Sequence, residues 1–342
     1  MYRRILVPLD GSTYSERVLA HLPAFVTPSK TRVILLRVLE PYHPYSDLGC
    51  AEALGSISAG TLLEEAEQYL KSLQGELRAQ GIAAQVRVMG GDVTAGICAV
   101  AEDEDVDLIA MTTHGRSGVS RWALGSVADH VVRVVSRPVL LVRGDTSVAN
   151  AGTVERILVP LDGTPLAEQA LPQAQALASE RGASLLLLRA LDLKTERELD
   201  GILAQAEGYG ALRSLRVRAV EGYLTSVRDR LEEASVGSRS FVHDQLPAQA
   251  ILETAEQQGA DLIVMSTHAR SGLGRWMRGS VADTVLRGAP CPVLLERVRE
   301  PARDEFPRAH TLSVSSEAEG KAHLRGSLIS SPSTAVPFKP RR

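Results

Sequence analysis

Two groups of residues in this chain have the types and spacing for anion chemistry. One is a carboxylate that closes an apolar run. RILVPLDG at 4–11 puts Asp10 at the end of such a run, and it returns unchanged at 156–163 with Asp162. The other is a glycine-punctuated segment. Residues 107–143 read DLIAMTTHGRSGVSRWALGSVADHVVRVVSRPVLLVR, and 261–297 read DLIVMSTHARSGLGRWMRGSVADTVLRGAPCPVLLER; they align without a gap, with 23 of 37 positions identical. Each copy runs from an apolar strand through a polar loop to Gly-Ser at the start of a helix, then to a second apolar strand. A helix start approached by glycines suits an anion, because unpaired N–H groups and the helix dipole face it. Glycines also let the backbone come close to phosphate oxygens. Most such loops hold nothing, and neither GxxxxGK[ST] nor a GxGxxG between strand and helix is present.

The other polar residues here have ordinary readings beside the functional ones. His114 and His268 have the chemistry of a general base, but base catalysis needs more than a histidine in reach. They read better as loop histidines fixing backbone geometry. Asp10 fits either a ligand contact or a turn carboxylate capping the next helix, and Asp162 fits either as well. The Arg116 and Arg121 forks match phosphate geometry; Arg121 reads as a solvated side chain. Trp122 and Trp276 read as core or interface anchors.

The elements that must carry these residues follow from hydrophobic period. In the first half, strands are expected at Ile5–Leu9, Val33–Leu39, Ile82–Met89, Asp107–Met111 and Val139–Val142. Helices are expected after a capping box at Thr13–Glu16, over Thr61–Gln80 ending at Gly81, over 94–103, and from an N-cap at Ser126. The last of these carries Val127, Val131, Val134 and Val135 at helical spacing, and Pro23 is expected to shorten or kink the first. Residues 40–60 form a Pro-, Gly- and Ser-rich connection, read as a solvated loop rather than a lid. In the second half, Thr164-Pro165 reads as N-cap and first helical position. Strands are expected at Leu185–Leu188 and near 238–243; residues 192–222 show no clear period, so the intervening helix is placed only near 223–234. Alternating strands and helices imply α/β architecture: two tandem doubly wound five-stranded parallel-sheet domains with right-handed crossovers. The expected domains span 1–144 and 155–298, joined by a small, polar linker at 145–154. Residues 299–342 lack apolar periodicity and are expected to be a disordered tail.

The whole chain has 342 residues, enough for two cores, with 44% hydrophobic and 23% charged residues and a net charge of −3. There is no basic excess of the kind a general nucleic-acid binder needs. Cys50, Cys98 and Cys291 form no zinc spacing and read as unpaired thiols of a reducing compartment. No apolar run approaches a membrane span, and the first residues enter a strand directly, so a cytoplasmic location without a signal peptide is expected.

With both landmarks in order in each half, RILVPLDGS … THGRSGVSRWALGSVAD resembles the universal stress protein family in its tandem form, over about residues 2–143 and 154–297. The family pattern is Gly, two residues, Gly, nine residues, Gly-Ser/Thr; the first half matches it at Gly115, Gly125 and Ser126 and departs at Thr112. The second half carries Ser266, Ala269, Gly279 and Ser280 in that frame, so two of three glycines are missing. The resemblance implies a Rossmann-like strand order 3-2-1-4-5 and an ATP or other adenine-nucleotide site where strands 1 and 4 end, with Mg2+ as a companion to the phosphates. By position, Pro8, Leu9 and Val38 would wall the base and Asp10 would meet the adenine or ribose end. Met111, Thr112, His114 and Gly115 would line the loop. Gly125, Ser126, Val127 and Arg116 would meet phosphate. A second, weaker site would use Asp162, Met265, His268, Gly279, Ser280 and Val281. An Ala269 forced to positive φ would weaken it by about 1–2 kcal/mol. Arg278, in the place of Leu124, would offset part of that loss.

Family dimers pair through the last strand. PVLLV at 138–142 and PVLL at 292–295 would then pair within one chain as a pseudo-dimer, leaving other surface for homo-oligomers. A regulatory ATP-binding stress-response protein is the leading function. The alternatives are a weak ATP-hydrolysing enzyme and a non-binding interaction pseudo-dimer. LDGSTYS and LDGTPLA lack the second glycine of the SGGxDS-type loop of the related ATP-pyrophosphatases, which argues against the enzyme.

Overall fold

The computed structural model describes residues 2–40, 59–113, 124–144, 146, 151–191, 209–269 and 280–299. His114, Gly115, Arg116, Arg121, Trp122, Trp276, Arg278, Gly279, Cys50, nearly all of the 40–60 connection and nearly all of the expected tail lie outside the described residues.

The first half contains strands β1 Arg4–Pro8, β2 Arg32–Leu39, β3 Ala83–Gly90, β4 Leu108–Thr112 and β5 Val139–Val142. The second contains β6 Arg156–Pro160, β7 Ser184–Ala190, β8 Ser238–His243, β9 Leu262–Ala269 and β10 Val293–Arg299. Their order is β3-β2-β1-β4-β5-β10-β9-β6-β7-β8. Each half thus has the order 3-2-1-4-5, with every strand inside a half parallel to its neighbours. The two sheets join edge to edge through β5 and β10, which pair antiparallel with Val293 opposite Leu141 and Leu295 opposite Val139.

Nine helices flank the sheet among the described residues: α1 Thr13–Glu16, α2 Ala59–Ala79, α3 Val93–Asp103, α4 Ser126–Val134, α5 Pro165–Glu168, α6 Ala170–Arg181, α7 Tyr209–Glu233, α8 Pro247–Gln257 and α9 Ser280–Gly288. Both sheet faces are covered, which is why the strands read as unbroken apolar runs. Alternate residues divide between two cores. Ile5, Val7, Leu140 and Leu294 face one, and Leu6, Ile109, Leu141 and Leu295 face the other.

Local chemistry departs from the sequence expectations at identifiable residues. The cap of α1 is Ser12, one residue before the expected capping box, and its side chain accepts from the Ser15 N–H at 3.2 Å. The α-helix lasts only one turn, and Arg17–Ala24 continues as a 3-10 helix containing Pro23. A proline there has no N–H to give and crowds the carbonyl four residues back. At α4 the N-cap is Gly125, and Ser126 is the first helical residue, exposed and not the cap. Val134 is 51% exposed, while Ala128, Val131 and Val132 form the buried stripe. The poorly periodic stretch of the second half already holds α7 from Tyr209, 14 residues ahead of its expected start. Its arginines, Arg213, Arg216, Arg218, Arg228 and Arg230, fall at irregular spacing and hide the period. Other expectations hold: Gly81 ends α2 in the left-handed region at φ 78°, and Thr164 caps α5 with Pro165 at its first position.

Glu296 lies on β10 beside the seam between halves. One of its carboxylate oxygens is buried without a partner, and burial raises its pKa to about 7. A carboxyl whose folded pKa is raised favours the fold fully below its unfolded value near 4.5, and that contribution is lost as pH rises through 7. Glu296→Gln is therefore expected to flatten the fall in Tm between pH 5 and 8. It should also raise stability at pH 8 by about 2 kcal/mol, read by denaturant unfolding at both pH values.

Candidate functional site

In the order 3-2-1-4-5, the chain leaves β1 toward one side and later fills β4 on the other. The crevice for a ligand in such a sheet lies beyond the carboxyl ends of these two strands. The proposed residues of the first half collect at this place.

At the end of β1, Leu9 is buried and its N–H donates to the Leu36 carbonyl at 2.8 Å, so the strand stays straight up to Asp10. Gly11 then turns at φ 79°. The Asp10 carboxylate accepts from the Ser12 N–H at 2.9 Å and from the Ser12 hydroxyl at 2.5 Å, and Ser12 in turn caps α1. The second half repeats this: Asp162 accepts from both the N–H (2.9 Å) and the hydroxyl of Thr164, which caps α5. Turn-and-cap chemistry alone therefore accounts for an aspartate in both halves.

At the end of β4, Met111 and Thr112 are buried, 6% exposed each. Thr113 continues the ladder by donating to the Val142 carbonyl at 2.9 Å. Its own carbonyl accepts from the Gly125 N–H at 2.6 Å. This single bond fixes the start of α4 against the end of β4. Helix geometry leaves the N–H groups of Ser126, Val127 and Ala128 without an intrahelical acceptor. Ser126 is exposed and Val127 half-buried at that end. Because β1 and β4 are parallel neighbours, with Ile5 beside Leu108, Asp10 and the start of α4 lie at the same end of the sheet.

Val38 approaches from β2, half-buried, beside Met89 of β3 and Gly96 of α3. A Cβ on Gly96 would lie 3.0 Å from Val38 Cγ2 and 3.2 Å from Met89 Sδ. Gly96 is thus a positioning residue that the sequence reading missed; a glycine inside an apolar helix was the available signal. Pro8 is half-buried at the end of β1.

The second half differs at its loop. Its counterpart of β4, β9, runs on through Ser266, Thr267, His268 and Ala269, which pair with Glu296, Arg297, Val298 and Arg299 of β10. Ala269 is therefore in extended strand, which corrects the expectation that it needs a positive φ. The Ser266 hydroxyl donates to the Leu166 carbonyl of α5, tying β9 to the helix that follows β6. Met265 is buried, Val281 half-buried and Ser280 exposed at the start of α9. Arg189 of β7 donates to the Leu161 carbonyl at 3.4 Å, and its guanidinium stands over Gly163.

Among the described residues no group of three or more His, Cys, Asp or Glu has the arrangement of a metal site, and no helix is long and apolar enough to cross a membrane. The doubly wound halves, each with an aspartate turn after its first strand and a Ser-led helix after its fourth, define a class of paired α/β domains with a switch-point crevice. The family model "Universal stress protein family" matches the chain twice, over residues 1–143 and 153–297. The chain belongs to that family. It is similar to a universal stress protein of Mycobacterium tuberculosis, 31% identical over 56% of this chain and 62% of the relative, so it spans less than two thirds of that relative's length. A universal stress protein of Mycolicibacterium smegmatis is 26% identical over 86% of this chain and 97% of its own. The crystal structure of a universal stress protein from Archaeoglobus fulgidus superposes with a TM-score of 0.64 at 23% identity, covering 86% of this chain and 98% of that one, a likeness of fold.

The Ser266–Leu166 bond is expected to contribute about 1 kcal/mol, the usual net worth of a hydrogen bond. Ser266→Ala should lower the urea midpoint accordingly.

Proposed function

We propose that the first half holds an adenine nucleotide, ATP, at the β1–β4 switch point and that the second half holds it weakly or not at all. The observation that carries this is the Gly125 N–H bond to the Thr113 carbonyl. It holds the start of α4 at the end of β4, at the same end of the sheet as Asp10. In this reading the base lies against Pro8, Leu9 and Val38 and the phosphates meet the start of α4. Met111, Thr112, His114 and Gly115 line the path between, and Arg116 adds charge. The triphosphate supplies the negative charge that the helix dipole favours and carries any Mg2+ with it.

The sequence of the second half supports the asymmetry, since Ser266 and Ala269 stand where the pattern has glycine. In the second half the backbone of Thr267–Ala269 belongs to the β9–β10 ladder and Ser266 is engaged with Leu166. Asp162, Met265, His268, Gly279, Ser280 and Val281 are left to form the weaker site. The protein in this reading is a regulator that responds to nucleotide, acting in the cytoplasm rather than turning substrate over. Its domains are 1–144 and 155–298. The β5–β10 pair makes one chain a pseudo-dimer, and homo-oligomers form through its remaining surface.

Titration calorimetry of the full chain with ATP tests this. One site per chain is expected. Gly125→Asp puts a carboxylate where phosphate would sit while keeping a favourable N-cap, so it should weaken ATP at least tenfold. Gly279→Asp should leave the affinity unchanged. Two equal sites would refute the asymmetry; a chain that ignores ATP would remove the nucleotide reading; steady hydrolysis well above background would favour an enzyme.

A further inference from the structure

A cavity lies away from the switch point, where the two halves meet. It measures about 140 Å³. The 3-10 segment of the first half gives it His21 and Phe25, and Thr146 comes from the stretch after β5. Val154 lies before β6, and Asp261 and Cys291 lie at the starts of β9 and β10. Two polar atoms in this lining are buried with no hydrogen-bond partner: Nε2 of His21, a residue 7% exposed, and Oγ1 of Thr146, a residue 9% exposed. An unmet buried donor or acceptor costs about 1–3 kcal/mol, so two around one space call for an occupant. Asp261 lies in the same lining, where its Oδ2 accepts from the N–H groups of Glu155 at 3.0 Å and Arg156 at 2.9 Å. Burial pushes the Cys291 thiol up to about 12, so it stays a protonated apolar wall.

The internal duplication shows what shape of occupant the space fits. The offset of 152 residues that relates RILVPLDG to its repeat also relates Tyr2 to Val154 and His21 to Gln173. At the other side of the seam Tyr2 is present and its ring is buried, 5% exposed. The Gln173 amide of α6, from the opposite half, donates to its hydroxyl. The same carboxylate clamp stands there too, with Asp107 Oδ2 accepting from Arg3 and Arg4 N–H groups at 2.6 and 2.9 Å. So one side of the seam is filled by a phenol whose hydroxyl meets a side chain of the opposite half. On the other side the phenol is replaced by valine, and the side chain that would meet a hydroxyl, His21, is left without a partner.

We propose that this seam cavity binds a small neutral phenol, its ring among Phe25, Val154, Leu262 and Pro292 and its hydroxyl bonded to His21 Nε2. The size suits one ring: an apolar cavity of about 150 Å³ engineered in another protein takes up benzene. Burial lowers the pKa of His21, which keeps the imidazole uncharged and suited to a neutral partner.

The test uses the full chain without nucleotide, phenol as the probe and toluene as its match without the hydroxyl. Binding is read by calorimetry and by the rise in Tm. Saturable phenol binding is expected, about fivefold tighter than toluene, the worth of one net hydrogen bond. His21→Leu should bring phenol down to the toluene level. Val154→Tyr should fill the space from within, raising Tm and abolishing the phenol response. No saturable uptake of phenol, equal binding of phenol and toluene with His21 in place, or undiminished phenol binding by folded Val154→Tyr would each overturn the proposal. If Val154→Tyr fails to fold, the phenol-to-toluene ratio of His21→Leu decides alone.

Discussion

The short antiparallel pair between β5 and β10 is the interaction on which the rest of the architecture depends. β5 is four residues long and buried throughout, and its sequence VLLV has no polar residue to place toward water. Left as an edge it would expose unpaired backbone groups and an apolar strand at once. Pairing it with β10 removes both problems and makes one ten-stranded sheet of two five-stranded ones. Both cores then run across the seam: each apolar face gathers residues from both halves, Leu140 with Leu294 on one and Leu141 with Leu295 on the other. Polar bonds lie alongside this pair. Arg143 donates to the Ala289 carbonyl at 3.1 Å, and Arg297 reaches the carbonyls of Arg133 and Val135 at 3.0 and 3.3 Å. Arg181 of α6 donates to the Val26 carbonyl at 2.7 Å.

Duplication under such an arrangement frees each half to diverge. The first half keeps a helix start tied to its fourth strand by one bond, Gly125 to Thr113, and leaves the amides that follow it facing outward. In the second, the fourth strand runs to Ala269 and the Ser266 hydroxyl donates to the Leu166 carbonyl of α5. The aspartate turn is common to both because it builds the cap of the next helix, a need that does not depend on any ligand.

Much of this was legible in the sequence, for physical reasons that can be named. Strands buried on both faces show as continuous apolar runs, so β1, β2, β4, β5 and their repeats stood out, and parallel order followed from the helices between them. Gly81 announced a helix end because few other residues suit its φ of 78°, and Thr164-Pro165 a helix start because the threonine hydroxyl caps and a proline there needs no N–H. What failed was local and competitive. Ser12 took the capping role from Thr13 because both are good caps one residue apart. Ser126 lost it to Gly125 because the strand-to-helix bond fixes the turn one residue earlier. The start of α7 was hidden because its exposed face carries arginines at irregular spacing. The seam cavity was invisible, since it depends on which half contributes Tyr2 and which contributes Val154 to a space neither half encloses alone.

With β5 and β10 joined, the outermost strands of the sheet are β3 and β8. Both carry arginine outward: Arg87 is ion-paired with Glu104, and the exposed Arg239 lies over the Phe241 ring with its guanidinium 5.8 Å from the centroid. A charged, engaged side chain on a rim strand resists the addition of another strand. Both rims of the ten-stranded sheet thus disfavour its extension by a strand of a second copy.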